Sequence, residues 1–360
     1  MKILFDTGHP VHVLFFSSII TQLEKDGHTC RLSIREKDCS VQIATAYNLP
    51  FITKGKGSYS FFLKPFALLG FVVKIFRSAQ VYKPDIFVSF ASPYAGIVSW
   101  LMRKPHIVFD DTETDPILQW IYNRFSTHII TPSCFQKDFG KKHIRIHSYK
   151  ELAYLNPQRF SKNPEIKTEL GFQANQDYIL VRLVNHGAMH DIFSKKWDNP
   201  NKFFFIEKLA KTYHLVISAE TTLPANLEKF RMKLPEHLFH QVLANVKIMV
   251  GESATVATES AVLGVPAIFI DYSTRGYITE IEKEYGLVMH VKPTTNELKK
   301  AEEFVHTVMQ NPVNSVYEKN RQKLLSEKID PTTFMVWFIE NYPESVRIMK
   351  ENPDYQYNFK

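Results

Sequence analysis

Short apolar runs rich in Val, Ile and Phe alternate along the chain with longer segments whose apolar residues recur at helical spacing, the pattern of βαβ units wound into a parallel sheet. Runs at residues 2–5, 30–34, 85–90, 106–109 and 128–130 read as a first set of strands, with helices over 12–25, stopped at Gly27, and over 93–102. The polar stretch 156–175, with Pro157 and Pro164 and no periodicity, reads as a linker. A second set follows at 178–184, 214–218, 246–250, 267–270 and 287–291, with a helix over 277–285. Helical segments such as 332–340 and many aromatics close the chain. The pattern predicts an α/β protein of two Rossmann-like, doubly wound parallel-sheet domains, at 1–160 and 161–312, with a helical tail at 313–360.

Ligands of such sheets bind beyond the carboxyl ends of the strands, so the residues just after each strand are where chemistry is expected. The strongest candidate is the turn Gly251-Glu-Ser-Ala-Thr255, a strand end running into a helix start. Small side chains at Ser253, Ala254 and Thr255 let a ligand approach the N–H groups at the helix start, which suits a diphosphate. Glu259 lies in the second helical turn, about 6–9 Å along the axis, within reach of a ribose attached to that diphosphate. Gly264 and Pro266 end the helix before the next strand.

Four further strand ends carry polar clusters. After the first strand comes Asp6-Thr-Gly-His-Pro-Val-His12, in which His9 is a candidate general base, or simply a helix cap, and Gly8 and His12 are candidate substrate contacts. The fourth strand runs into Phe109-Asp-Asp-Thr-Glu-Thr-Asp115; Asp110, Asp111 and Glu113 are candidate acids or bases, while Asp111 and Asp115 could also serve as caps. The first strand of the second set ends in a loop holding Arg182, His190 and Asp191, and Arg182 could grip phosphate oxygens in a bidentate fork. The next strand ends in Ser218-Ala-Glu220. His237 and His240, placed just before a helix over 241–245, read as surface or capping residues. Neither a phosphate loop of the Gly-x-x-x-x-Gly-Lys type nor a Gly-x-Gly-x-x-Gly turn occurs, which removes support for triphosphate hydrolysis and hydride transfer.

Composition narrows the partners. The chain has 360 residues, 44% hydrophobic and 22% charged, enough for two ordinary domains. A net charge of +7 favours anionic partners, but no basic block or nucleic-acid motif occurs, so nucleic acid is not expected. The three cysteines, Cys30, Cys39 and Cys134, lack any Cys-x-x-Cys spacing, and Asp6 and His9 break the apolar start a signal peptide needs, so a reducing cytoplasmic setting is expected. His9 and His12 find no further ligand nearby, and no metal is expected. The greasy segment 61–77 is interrupted by Lys64, Pro65 and Lys74 before it could span a bilayer; it either packs on the sheet or lies peripherally on the inner face of a membrane, with Lys74 and Arg77 towards anionic lipid.

Several of these motifs in order resemble an uncharacterised bacterial and archaeal family, domain of unknown function 354, related to GT-B glycosyltransferases and UDP-N-acetylglucosamine 2-epimerases. The likeness covers about residues 1–310 and rests on Asp6-x-Gly-His-Pro-x-His12, Phe109-Asp-Asp-Thr-Glu113, Thr131-Pro-Ser-Cys-Phe135, Tyr149-Lys-Glu-Leu-Ala-Tyr-Leu155, His190-Asp191, and Gly251-Glu-Ser-Ala-Thr255 with Ala261-Val-Leu-Gly-Val-Pro-Ala267. The resemblance implies a GT-B-type pair of domains facing a cleft, the second holding a nucleotide sugar and the last helices crossing back to the first. It implies that Ser253, Ala254 and Thr255 bind the diphosphate, that Glu259 holds the ribose hydroxyls, and that His9 matches the loop histidine of MurG-like transferases. The chain departs from the epimerases in having Ser-Ala-Thr where they have Ser-Gly-Gly. The expected activity is metal- and cofactor-independent transfer of a sugar from a nucleoside diphosphate to a hydroxyl acceptor, lipid-linked acceptors included, in cell-surface polysaccharide or glycolipid synthesis. A 2-epimerase-like enzyme, hydrolysing or not, and a non-catalytic nucleotide-sugar binding protein are the alternatives.

Overall fold

Each apolar run read as a strand forms one, and two short strands join them. The structure is a computed structural model describing residues 1–36, 39–55, 64–113, 115–185, 197, 199–311 and 315–360. Two units divide the chain: Met1–Tyr154 with Lys328–Lys360, and Leu155–Glu327.

The first unit holds β1 (Lys2–Thr7), β2 (Thr29–Ile34), β3 (Phe51–Thr53), β4 (Ile86–Phe90), β5 (His106–Phe109), β6 (His128–Pro132) and β7 (His143–Ile146). They pair in the order β3-β2-β1-β4-β5-β6-β7, every pair parallel. The central β4 is buried at every position, as a parallel strand covered on both faces must be, which is why its sequence reads as a continuous apolar run. The two added strands, β3 and β7, are short edge strands with half-buried positions, and such brief segments carry too little periodicity to stand out.

Winding reverses between β1 and β4, and a buried charge knot sits there. Asp6, at the end of β1 and fully buried, is held by Lys54 Nζ at 2.5 Å from the turn after β3 and by Ser92 Oγ at 2.5 Å from the turn after β4. Burial pushes the Lys54 ammonium below its ordinary range, and the Asp6 carboxylate opposes that shift. One carboxylate thus ties together three loops at the carboxyl edge.

The described part of the 61–77 segment belongs to a helix, Lys64–Tyr82, that lays Val72, Ile75 and Ala79 against Leu4, Phe87 and Val98; residues 61–63 lie outside the described residues. Lys74 turns its ammonium to the Lys54 carbonyl at 3.1 Å. No described helix is long and apolar enough to cross a membrane. The terminal helices return to this unit: Pro331–Glu340 packs on Pro10–Lys25, and Gln356 Oε1 accepts from the His147 N–H at 2.6 Å.

The second unit holds β8 (Ile179–Leu183), β9 (Leu215–Ala219), β10 (Ile248–Gly251), β11 (Ala267–Ile270) and β12 (Val288–Val291), parallel in the order β12-β11-β10-β8-β9. Its winding reverses between β8 and β10, where the chains approach so closely that a Cβ on Gly251 would lie 2.2 Å from the Arg182 carbonyl oxygen. The stretch read as a linker is packed rather than loose: Asn163 N–H donates to Gln241 Oε1 at 2.8 Å and Ile166 is buried in a short helix, Ile166–Glu169. Helix Ser315–Glu327 also belongs here, its Arg321 donating to the Val262 carbonyl at 2.8 Å.

Two stability measurements follow from these contacts. Gly251→Ala drives a methyl into backbone that cannot move aside, and denaturant titration should show a loss of about 1–3 kcal/mol. Lys54→Met strands a buried carboxylate and should cost about 3–5 kcal/mol, much of it regained in Lys54→Met/Asp6→Leu; a single variant as stable as the parent would show that the knot is not a buried pair.

Candidate functional site

At the switch point of the second sheet, β10 ends in Gly251 and the chain turns through Glu252 into helix Ala254–Leu263. Ser253 is the N-cap: its backbone is extended and its Oγ accepts from Val256 N–H at 3.3 Å. The N–H groups of Ala254 and Thr255, one position closer to the helix end, have no partner within the helix, so they form the electropositive mouth that an anion would meet. The helix stops at Gly264, φ +76°, where a left-handed residue is required and the Arg321 side chain crowds any Cβ.

Glu259 lies in the second turn and is 2% exposed. Its Oε1 lies 2.9 Å from His240 Nε2. His240 therefore differs from the surface or capping residue expected of it: helix Phe239–Ala244 starts two residues earlier than the sequence pattern suggested and carries the imidazole to the buried carboxylate. A second buried pair sits in the turn itself. Glu252, also buried, meets Lys202 Nζ at 2.6 Å, and Lys202 comes from helix Asn199–Thr212, which follows β8. That cation offsets a carboxylate that would otherwise repel any diphosphate at the neighbouring N–H groups.

Arg182, at the end of β8, is engaged inside the unit. Its Nη1 donates to Ser218 Oγ at 2.7 Å, its Nη2 pairs with Glu220, and its guanidinium lies over the Phe239 ring at 5.7 Å. Glu220 also accepts from Asn185 N–H at 3.0 Å. Arg182, Ser218 and Glu220 thus form one cluster across the ends of β8 and β9, and an anion would have to compete with Glu220 for the guanidinium fork. His190 and Asp191 lie outside the described residues.

In the first unit His9 is the N-cap of helix Pro10–Lys25, its Nδ1 accepting from Val11 N–H at 3.4 Å, and it is half-buried beside the open position of Gly8. His12 stacks on Phe90 at 3.8 Å and lies 5.7 Å from the His9 ring, so the two imidazoles share the end of the β1–β4 switch. Two strands along, Asp110 is buried at the end of β5, accepting from Tyr122 Oη at 2.5 Å and Thr112 N–H at 3.1 Å. Burial pushes its carboxyl up to about 7, with the neighbouring Asp111 charge adding to the rise and the Tyr122 hydrogen bond opposing it. Asp110 therefore exchanges a proton near neutrality, as a general acid or base must. Asp111 is held by Lys150 Nζ at 2.5 Å, and Lys150 also meets Glu151 at 2.6 Å. Glu113 accepts from Gln136 N–H at 3.3 Å, and Asp115 caps helix Pro116–Phe125. Sequence reasoning missed Lys54, Lys150, Lys202 and Tyr122 as partners of these carboxylates. Lys150 and Glu151 stood in a motif already noted, yet nothing local marked the lysine as buried. Among the described residues, no three His, Cys, Asp or Glu side chains converge to hold a metal.

Two parallel-sheet units, each reversing its winding once and opening polar loops at the reversal, define a GT-B-type α/β protein. No protein-family model and no curated protein sequence matches the chain. Among solved structures it is similar to a putative UDP-N-acetylglucosamine 2-epimerase from Listeria monocytogenes, with 12% identity and a TM-score of 0.66 over 95% of this chain and 96% of that one. It is similar also to UDP-GlcNAc 2-epimerase from Methanocaldococcus jannaschii in complex with UDP-GlcNAc and UDP, with 15% identity and a TM-score of 0.65 over 87% and 94%. The spinosyn rhamnosyltransferase SpnG complexed with thymidine diphosphate gives 13% identity and a TM-score of 0.62 over 95% and 100%. Identities this low establish the fold and no more.

The raised Asp110 carboxyl has a signature in stability. Between about pH 4 and about 7 the folded protein keeps a proton there that the unfolded chain releases, so this group's contribution is full at low pH and lost as pH rises through about 7. Urea titrations of Asp110→Asn should show a flatter dependence across that window than the parent; parallel curves would show that Asp110 is ionised in the folded state.

Proposed function

We propose that the chain is a glycosyltransferase that moves a sugar from a nucleoside diphosphate to a hydroxyl acceptor without a metal or cofactor. One observation carries this reading: a Ser253-capped helix start at the switch point of the second sheet, with the buried Glu259 carboxylate in its second turn. In this reading the Ala254 and Thr255 N–H groups face the diphosphate, joined by Arg182 once it leaves Glu220, and Glu259 accepts from the ribose hydroxyls. Positive potential fixed in advance at the leaving diphosphate lowers the barrier to breaking the glycosyl bond. His9, or a carboxylate of the 110–113 loop, takes the acceptor proton. Two of the similar structures hold UDP-GlcNAc with UDP and thymidine diphosphate, respectively, which supports a nucleotide sugar as the ligand class here. Membership of the domain of unknown function 354 family, a cytoplasmic setting and a role in cell-surface polysaccharide or glycolipid synthesis complete the proposal on the motifs alone.

A 2-epimerase-like reaction is the second reading, favoured by Asp110, which is poised to exchange a proton near neutral pH as chemistry at the sugar ring requires. Donor incubated alone separates the two: free nucleoside diphosphate or isomerised sugar formed without acceptor supports the epimerase, and turnover only with a hydroxyl acceptor supports the transferase. Binding without turnover under any acceptor would leave a nucleotide-sugar binding protein.

A thermal-shift screen over nucleoside diphosphates and their sugars tests the ligand class, since a ligand about 100-fold above its Kd adds about 2.7 kcal/mol of apparent stability. Glu259→Ala should weaken the best nucleotide by roughly 10- to 100-fold in calorimetry, as expected for losing hydrogen bonds to a charged acceptor. Unchanged affinity would overturn the placement of the ribose.

A further inference from the structure

The first unit presents an exposed apolar surface that the sugar-nucleotide reading does not use. Three helices, Lys64–Tyr82, Pro93–Leu101 and Pro116–Phe125, pack side by side on the sheet of that unit. Most of the large hydrophobic side chains exposed on the described residues belong to them. Trp120 is 70% exposed, Trp100 59%, Leu69 59%, Ile117 55% and Leu101 52%. These positions follow the outward stripe of each helix. Leu69, Val73 and Arg77 recur at four-residue spacing on the first, and Ile117, Trp120 and Arg124 recur at three- and four-residue spacing on the third, all exposed. The opposite stripe of the first helix is spent on the core, as Ile75 and Ala79 show. Trp100 reaches across to the third helix, its ring 5.5 Å from that of Phe125, so two of the helices share one aromatic edge.

Charge on this surface has one sign. No Asp or Glu occurs in 64–82, in 93–104 or in 116–125, whereas Arg77, Arg103, Lys104 and Arg124 are all exposed there. An ordinary solvated face intersperses both signs and hides its tryptophans. A face intended for a second protein chain would be expected to keep some carboxylates for register. Exposed Trp with apolar neighbours, edged by Arg and Lys and with no carboxylate within the three helices beyond the Asp115 cap, is instead the composition of an element that lies at the water–lipid boundary.

We infer that this three-helix face docks on an anionic phospholipid surface. Indole and aliphatic side chains enter the headgroup boundary, and the four cations meet lipid phosphates. No described helix spans the bilayer, so the contact is peripheral and reversible, and its strength depends on both the apolar area and the anionic lipid content. The face recruits Trp100, Leu101, Ile117 and Trp120, well beyond the 61–77 segment to which the sequence pattern had pointed. It stands on exposure and charge alone, independent of which nucleotide the second unit binds.

Co-sedimentation of the full chain with vesicles tests the inference, using phosphatidylcholine mixed with phosphatidylglycerol and, separately, phosphatidylcholine alone. The protein should pellet with the mixed vesicles and stay largely in solution with the neutral ones. Arg103→Gln/Lys104→Gln should lower the partition coefficient about 30-fold, because each cation near an anionic surface contributes independently. Trp100→Ser/Trp120→Ser should abolish pelleting even at low salt. Unchanged melting temperatures in both variants would keep the result from being a folding defect, and if the tryptophan pair does unfold the chain, Ile117→Ser alone serves. Equal pelleting with neutral vesicles, or no pelleting with either, overturns the inference. So does sedimentation velocity showing a dimer that the tryptophan substitutions dissociate, since the face would then belong to a second copy of the chain.

Discussion

Parallel strands cannot be joined by tight turns, and that constraint shapes everything else in this molecule. Each strand must be followed by a crossing element, so helix starts and loops collect at the carboxyl edge, and where the winding reverses two neighbouring loops part in opposite directions. Both units do this once, at β1–β4 and at β8–β10. Gly251 marks how tight the second reversal is, since β8 backbone occupies the space a side chain would need. The polar residues considered for function stand at these two edges because only there does a mostly apolar, doubly covered sheet leave room for them.

Gathering carboxylates at such edges has an electrostatic cost, and the structure meets most of it by pairing. Asp6 is matched by Lys54, Asp111 and Glu151 by Lys150, and Glu252 by Lys202, while Glu259 is hydrogen-bonded to the His240 imidazole. In most of these pairs the cation comes from a different element, so each pair also fixes the position of a loop relative to a strand. An isolated buried charge would be several kcal/mol unfavourable, whereas a paired one is close to neutral and holds its geometry. Asp110 is the exception. With a tyrosine hydroxyl instead of a cation as its partner, it responds to burial by holding its proton up to about pH 7. A group left in that condition at a strand end is a better candidate for proton transfer than its ion-paired neighbours.

The cradle after β10 combines two kinds of preorganisation. Ser253 satisfies one N–H of the helix start and leaves others open, while Lys202 cancels the carboxylate that precedes it. Arg182 is different, because it already spends its guanidinium on Ser218 and Glu220. An anion at this edge would meet fixed N–H dipoles at once and gain Arg182 only by exchange, so the amides set where it binds and the arginine responds to it.

Local chemistry made much of this legible from sequence. Apolar runs announced ten of the strands because burial on both faces demands them, and Ser253, Gly264 and Pro266 bounded their helix because capping is a matter of neighbouring residues. Which side chains meet was another matter. Lys54 and Asp6 are separated by 48 positions, and Glu259 and His240 lie on different helices, so only the packed fold could bring them together. Nor could composition say that the tryptophans of two amphipathic helices face outward, since a helical stripe shows that one side is buried without showing which. The sequence determined the elements and their ends, because those depend on a few adjacent residues. The tertiary structure decided partners, burial and proton affinity, because each depends on distances between residues far apart in the chain.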